Sequence, residues 1–149
     1  MKGRQGFTLL ELLVVIGIIA ILAGIVIVAL NPARQFSQAR NATRSNDVRQ
    51  ILNAIHQNRI DNNGVWTCAA GALPVVATNM ASGVGNYDVC GCIVPTYIPS
   101  EPLDPQTGTG VTNCSAAYDT QYNVSQDAAG RVTIAAPDAE LAETISVTL

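Results

Sequence analysis

Four cysteines are the side chains with the most chemistry to offer in this sequence. They follow the spacing C-x21-C-x-C-x21-C, formed by Cys68, Cys90, Cys92 and Cys114. A bond between Cys90 and Cys92 would strain the usual disulfide geometry. Two pairings therefore stay open: Cys68–Cys90 with Cys92–Cys114, or Cys68–Cys92 with Cys90–Cys114. Zinc sites usually have paired short spacings such as C-x2-C, whereas this pattern has a single C-x-C between two spacings of 21 residues, so we predict two disulfides, with zinc as the alternative.

Little else in the sequence suggests catalysis. His56, the one histidine, follows Ile55 in an amphipathic stretch, and we predict a structural or solvated role for it. A Cys-His nucleophile would require a cysteine that is predicted to be oxidised. The sequence contains no G-x-S-x-G motif, phosphate-binding loop or paired metal ligands. We therefore expect a protein that is not an enzyme.

One acid lies where its chemistry is unexpected, just inside a long apolar stretch. Residues 7–30 would form a helix of roughly 36 Å, enough to span a bilayer, and they include Glu11. The stretch is too long for the apolar region of a secretory signal peptide, and its end lacks a convincing cleavage site. Thr8 and Glu11 fit the capping-box pattern T-x-x-E, so a helix cap is one interpretation of the glutamate.

The residues before Glu11 carry a more specific pattern. A short basic leader precedes Gly6, Phe7, Thr8, Leu9, Glu11 and Leu12, and the apolar run continues from there. This pattern closely resembles the type IV pilin-like family, which comprises the type IV pilins and the pseudopilins of type II secretion. The resemblance implies that a prepilin peptidase cuts between Gly6 and Phe7, and that the new amine of Phe7 is N-methylated. It also implies that Glu11 pairs with the N-terminal amine of a neighbouring subunit during filament assembly.

Elementary electrostatics agrees with that role for Glu11. An isolated charge in hydrocarbon costs several kcal/mol, so a glutamate kept there is expected to have a partner. Cleavage would expose an α-amine that is mostly protonated at neutral pH, and methylation keeps its charge. The two charges would attract strongly in a medium of low dielectric constant.

The same resemblance implies partners and a location. The partners are other copies in a filament, the peptidase, an inner-membrane assembly platform, minor pilins or pseudopilins, and membrane lipid before assembly. The location is the inner (cytoplasmic) membrane, with one span and a cytoplasmic N-terminus, and an extracytoplasmic or cell-surface filament after assembly. Charge counting alone leaves the orientation nearly undecided, because basic residues flank both ends of the apolar run.

The elements that position these residues begin with one long helix from about Thr8 to about Arg59. Asn31-Pro32 should kink it, because proline removes a backbone donor and clashes with the preceding turn. The small residues Gly17, Ala20 and Gly24 share one face of the first half and predict close helix packing. The second half is amphipathic through Val48, Ile51, Leu52 and Ile55, and a stop signal follows at residues 61–64.

The distal part reads as loops followed by strands. Residues 65–110 are rich in glycine and proline, with short apolar pieces at 73–77 and 89–94. Residues 118–124 and 132–136 alternate apolar and polar around a turn at 127–130, which predicts a hairpin, and 145–149 predict one more strand. We predict an α+β fold in which the helix packs on a small antiparallel sheet. Its segments are a leader (1–6), a transmembrane helix (7–30), an amphipathic helix (31–62) and a disulfide-stapled β region (63–149).

Charge divides the chain into a basic and an acidic part. Residues 1–60 hold seven basic residues and two acids, whereas residues 61–149 hold one arginine and nine acids. The acidic part argues against nucleic-acid binding. The arginines of the amphipathic helix are spread along it, so we predict a solvated or subunit-contacting face for Arg34, Arg40, Arg44, Arg49 and Arg59.

The stretch from Pro99 to Pro105 looks like the P-x-DP region of major type II pseudopilins, without the Trp-Gly that usually follows there. Some of those relatives bind calcium in a loop near the C-terminus. No ligand set carries over to this chain, and a dense acidic loop is absent. No cofactor is predicted, and calcium stays an alternative with Asp104, Asp119 and Asp127 as its candidates.

The interpretation is a structural subunit of a type IV pilus-like or type II pseudopilus filament, made as a prepilin. The alternative is a singly spanning membrane protein that presents a binding module and never polymerises.

Overall fold

A computed structural model describes residues 6–110 and 112–149, and the chain divides into two compact units between Phe36 and Ser37. The first unit contains helix α1 (Leu9–Leu30) and the start of helix α2 (Pro32–Asp61). The second contains the rest of α2 and the sheet. The α+β class and the predicted pairing of long N-terminal helix and small antiparallel sheet are confirmed.

The helix breaks at the predicted place, although two helices replace one kinked helix. Asn31 ends α1 in the left-handed conformation, with φ 43° and ψ 76°. Pro32 is then the first residue of α2, where its missing N–H costs nothing and its fixed φ suits a helix start. The predicted clash with the preceding turn is thereby avoided. The predicted stop is confirmed, since α2 ends at Asp61 and Asn63 and Gly64 follow with positive φ.

The second unit contains five strands and one further short helix. They are β1 (Thr78–Ala81), α3 (Cys90–Ile93), β2 (Thr109–Gly110), β3 (Tyr118–Gln126), β4 (Val132–Ala136) and β5 (Ile145–Thr148). The sheet is antiparallel with the order β1-β3-β4-β5, and β2 pairs with the start of β3. The predicted hairpin and last strand are confirmed. β1, α3 and β2 lie in the segment that the sequence predicts as loops. The pattern does not predict these three elements, because the glycines and prolines of this segment obscure any periodicity.

The core of this unit lies between α2 and the sheet. The apolar face predicted on α2 is buried, and it shares one cluster with the alternating residues of the hairpin. Fully buried members from these elements include Ile51, Leu52, Ile55, Tyr122, Val124 and Ile134. The helix stripe and the two-residue period of the strands therefore meet as the pattern predicts.

Two arginines of α2 correct the prediction of a solvated or subunit-contacting face. The Arg44 side chain is fully buried, and its Nε and Nη2 donate to the two carboxylate oxygens of Asp104 at 2.6 and 3.1 Å. Arg44 Nη1 also donates to Glu140 at 2.9 Å and to Asn41 at 3.0 Å. Arg40 donates through Nε and Nη2 to the two carboxylate oxygens of Glu140, each at 2.6 Å. We call Arg40, Asn41, Arg44, Asp104 and Glu140 the arginine network.

The arginine network ties α2 to two loops that sequence separates from it by about 60 and 100 residues. Asp104 also accepts the N–H groups of Gln106 and Thr107, which close its own loop. Burial would raise the pKa of Asp104, but the hydrogen bond from Arg44 and these two N–H groups outweigh it and lower that pKa. Arg40 and Arg44 lower the pKa of Glu140 to about 2. Both carboxylates therefore lose their stabilising effect only as the pH falls below about 4.

Glu101 is a second buried acid, but, unlike Asp104, its carboxylate is not hydrogen-bonded to other described residues. Its residue is 1% exposed, and neither carboxylate oxygen has a hydrogen-bond partner among the described residues. Burial, reinforced by the charge of Asp88, raises the pKa of Glu101 to about 8. The folded unit thus favours the neutral acid at neutral pH.

Replacing Asp104 by asparagine should lower the free energy of unfolding by about 3 kcal/mol, because it leaves the buried Arg44 charge short of its main partner. Fluorescence of Trp66, the one tryptophan, during urea titration of the full chain in detergent reports this change. The control is Asp127→Asn in the exposed Asp127–Arg131 pair, which should cost far less, because an exposed ion pair contributes little to stability. Equal costs for the two variants would contradict a structural role for the arginine network.

Glu101→Gln should make stability less sensitive to a rise in pH from about 5 to 9. The folded pKa lies above the unfolded value of 4.5, so the stabilisation by neutral Glu101 is complete below pH 4.5 and is lost as the pH rises through 8. Between pH 5 and pH 9 the wild type should lose at least about 1 kcal/mol relative to the variant. Parallel stability curves over that interval, followed through Trp66, would show that Glu101 has an ordinary pKa in the folded chain.

Candidate functional site

The N-terminal segment places Gly6, Phe7 and Thr8 outside any helix, directly before α1. Thr8 is the N-cap, with extended backbone angles of φ −82° and ψ 153°. Phe7 is 85% exposed, and a side chain built on Gly6 would meet no described atom within 4 Å. The peptide bond between Gly6 and Phe7 is therefore exposed, non-helical backbone. The other residues of the predicted leader, 1–5, lie outside the described part of the chain.

Glu11 forms the capping box that the T-x-x-E pattern predicts. The Glu11 N–H donates to the Thr8 hydroxyl at 3.2 Å, and the Thr8 N–H donates back to the Glu11 carboxylate at 2.9 Å. The Thr8 hydroxyl also donates to the same oxygen, Oε2, at 2.9 Å. No described residue bonds to Oε1 of Glu11, so this oxygen is available to a donor from outside the chain. Capping and pairing with another molecule are thus compatible roles.

The surface of α1 is apolar on every side. No residue of α1, all of which is described, is buried. The helix is long and apolar enough to cross a membrane. Ala20 and Gly24, two of the three residues predicted for close packing, line a shallow groove of about 600 Å³ with Ile21 and Ile25. Side chains built on Gly17 or Gly24 would meet no described atom within 4 Å, so the fold of this chain alone does not require these glycines.

The four cysteines form the two predicted disulfides, in the second of the two pairings left open. Cys68 bonds to Cys92 and Cys90 bonds to Cys114, with Cα atoms 5.2 and 5.6 Å apart. Each bond closes a loop with a sequence separation of 24 residues. The short helix α3 carries both Cys90 and Cys92 and so joins residues 68 and 114 to one element.

The three calcium candidates are held by separate partners. Asp104 belongs to the arginine network, and Asp127 pairs with Arg131 at 2.7 Å in the hairpin turn. Asp119 accepts the side-chain amide of Asn79 at 2.8 Å and the N–H of Gln121, which has a positive φ. Within residues 6–110 and 112–149, no group of three or more His, Cys, Asp or Glu side chains could hold a metal ion.

His56 lies on α2 with its Nε2 atom buried and without a partner among the described residues. Burial, followed by the charge of Arg59, lowers its pKa. The neutral ring therefore packs as a half-buried side chain, in line with the structural role predicted for it.

Comparison with known proteins finds a match for the N-terminal segment. The model of the prokaryotic N-terminal methylation motif matches residues 1–27, which include Gly6, Phe7, Glu11 and most of α1. This motif is the prepilin signal of type IV pilins and pseudopilins, so the chain carries that signal, and the resemblance noted in the sequence is confirmed. The motif points to a structural protein and fits a membrane anchor in α1. Curated proteins and solved structures give no match to the chain.

Proposed function

We propose that this chain is the subunit of a type IV pilus-like or type II pseudopilus filament, and that it is made as a prepilin. The peptidase cuts between Gly6 and Phe7, and the Phe7 amine is methylated. The observation that carries the proposal is the methylation motif on a wholly exposed apolar helix whose one acid is Glu11. Partners are further copies, the peptidase, the assembly platform of the inner membrane and minor pilins or pseudopilins.

The apolar surface of α1 must be covered both in the free subunit and in the filament. Before assembly, lipid covers the apolar side chains of α1. In the filament, other copies of α1 replace the lipid, and small residues such as Ala20 and Gly24 allow the close approach that packing between helices requires.

When the subunit leaves the membrane and enters the filament, the charge of Glu11 requires a partner. In our proposal the methylated amine of a neighbouring copy supplies it, at the Oε1 atom that Thr8 does not use. The acid thereby favours a packed filament over a random cluster of helices, because an apolar contact alone would not fix the register of one helix along another.

Glu11→Gln should be cut normally, stay in the membrane and enter filaments poorly. Losing one member of a buried ion pair costs about 3–5 kcal/mol, which corresponds to more than a hundred-fold change in an equilibrium constant. Glutamine still completes a capping box, so a cap alone predicts a loss of only about 0.3–1 kcal/mol. Sheared filaments, measured against the membrane pool of cut subunit, give the comparison.

Two further variants serve as controls. Thr8→Val removes the capping hydroxyl and keeps the Glu11 charge, so it should assemble better than Glu11→Gln. Gly6→Leu should leave the precursor uncut in the membrane, because the peptidase must approach the backbone closely at that residue. Near-normal filaments from fully cut Glu11→Gln, together with a defect in Thr8→Val, would assign Glu11 to capping alone. Membrane-bound, uncut wild type would favour an anchored module that does not polymerise.

A further inference from the structure

The solvent face of α2 carries a stripe of uncharged amides. Asn46, Gln50, Asn53 and Gln57 follow one another at intervals of four, three and four residues, which places them on one side of the helix. All four are exposed, and none bonds to a described residue through its side chain. Other amides of the same helix do bond: Asn41 binds Glu140, and Asn58 binds the backbone of residues 67 and 92. The stripe thus has no task within its own fold.

A second wall turns this stripe into a groove. Tyr97, Ile98 and Pro99 lie beside the amides and, together with Arg49, line an open groove of about 430 Å³. Ile98 is buried and Tyr97 is half-buried, so the wall is anchored in the core. We call this feature the amide groove. It offers the hydrogen-bond donors and acceptors of the amides, the ring of Tyr97 with Asp61 next to it, and the positive charge of Arg49.

Arg49 is unlike the other cations of the second unit. Residues 37–149 contain five arginines and ten carboxylates, a formal net charge of −5. Arg40 and Arg44 belong to the arginine network, Arg131 pairs with Asp127, and Arg59 donates to the carbonyls of Gly64 and Gly130. Within the described part of the chain, Arg49 alone among these five has no hydrogen-bond or ion-pair partner.

This charge distribution indicates which kind of molecule binds in the amide groove. Copies of an acidic unit repel one another, and a filament brings them side by side. The amide groove is the place on this unit where a carboxylate of another copy meets an unpaired cation and neutral polar groups that bond to backbone. We propose that the amide groove binds an acidic surface segment of a second copy of this chain, with Arg49 as its ion-pair donor. This inference rests on the proposed filament function.

Charge reversal at Arg49 tests the inference. Arg49→Glu should lower filament yield at least about ten-fold, because it replaces an attraction between opposite charges at the interface by a repulsion between like charges. The membrane pool of cut subunit should not change, since Arg49 is exposed. Arg131→Glu is the matched control: Arg131 is 67% exposed and lies in the hairpin turn, so its reversal should leave the yield close to that of the wild type. A normal yield from Arg49→Glu overturns the inference.

Photo-crosslinking identifies the occupant. A benzophenone amino acid at position 50 should give an adduct of twice the subunit mass in wild-type filaments, and Arg49→Glu should abolish it. An adduct with another protein, with lipid or with a glycan overturns the inference, and so does the absence of any adduct. Combining Arg49→Glu with Asp61→Arg, Asp88→Arg or Glu143→Arg should restore the yield in the one case where the acid is the true partner.

The outcome also separates this inference from the proposed function. If the wild-type chain is not cut or forms no filament, the proposed function fails. If the wild type assembles and Arg49→Glu assembles equally well, the filament function stands and the amide groove has no part in it.

Discussion

The whole structure depends on one constraint: the apolar surface of α1 must be covered, and within the described part of the chain no residue of this helix is buried. Sixteen leucine, isoleucine and valine side chains of α1 are exposed. Leaving so many aliphatic groups in water would cost on the order of tens of kcal/mol, well above the stability of a domain. Lipid or further copies must therefore take up this surface. In the proposed filament, Glu11 is the group that distinguishes the two environments, because hydrocarbon offers its charge no partner, whereas the amine of a neighbouring subunit would.

The second unit, in contrast, is held together by its own contacts. The buried arginine network joins α2 to loops around Asp104 and Glu140, and the two disulfides join α3 to residues 68 and 114. These cross-links lie where regular secondary structure is sparse. They make up for a short, glycine-rich β region whose strands β1 and β2 have only four and two residues.

The sequence predicts those parts whose physics is local. The cap at Thr8, the break at Asn31, the stop after Asp61 and the hairpin of β3 and β4 each follow from a few adjacent residues. Long-range partners do not. Arg44 is one of several evenly spaced arginines, and nothing nearby indicates that Asp104, sixty residues away, buries it. The residues next to Glu101 in the sequence are typical of an exposed segment, and yet Glu101 is buried.

The candidate functional sites also differ in whether adjacent residues predict them. A motif at residues 1–27 indicates the prepilin signal directly, whereas the amides that line the amide groove have helical spacing without any local sign of their common wall. Tyr97 and Pro99 reach that wall through a loop, and loop paths depend on the tertiary fold. The choice between the two disulfide pairings likewise depended on where α3 lies relative to residues 68 and 114.

The mass of the N-terminal peptide from protein assembled in its native membrane tests the central claim most directly. The account predicts a chain that begins at Phe7 and carries one methyl group on its α-amine, which keeps the positive charge that Glu11 requires. An intact Met1 or Lys2 start in assembled material would contradict it, because an uncut leader would leave Glu11 without the amine of a neighbour.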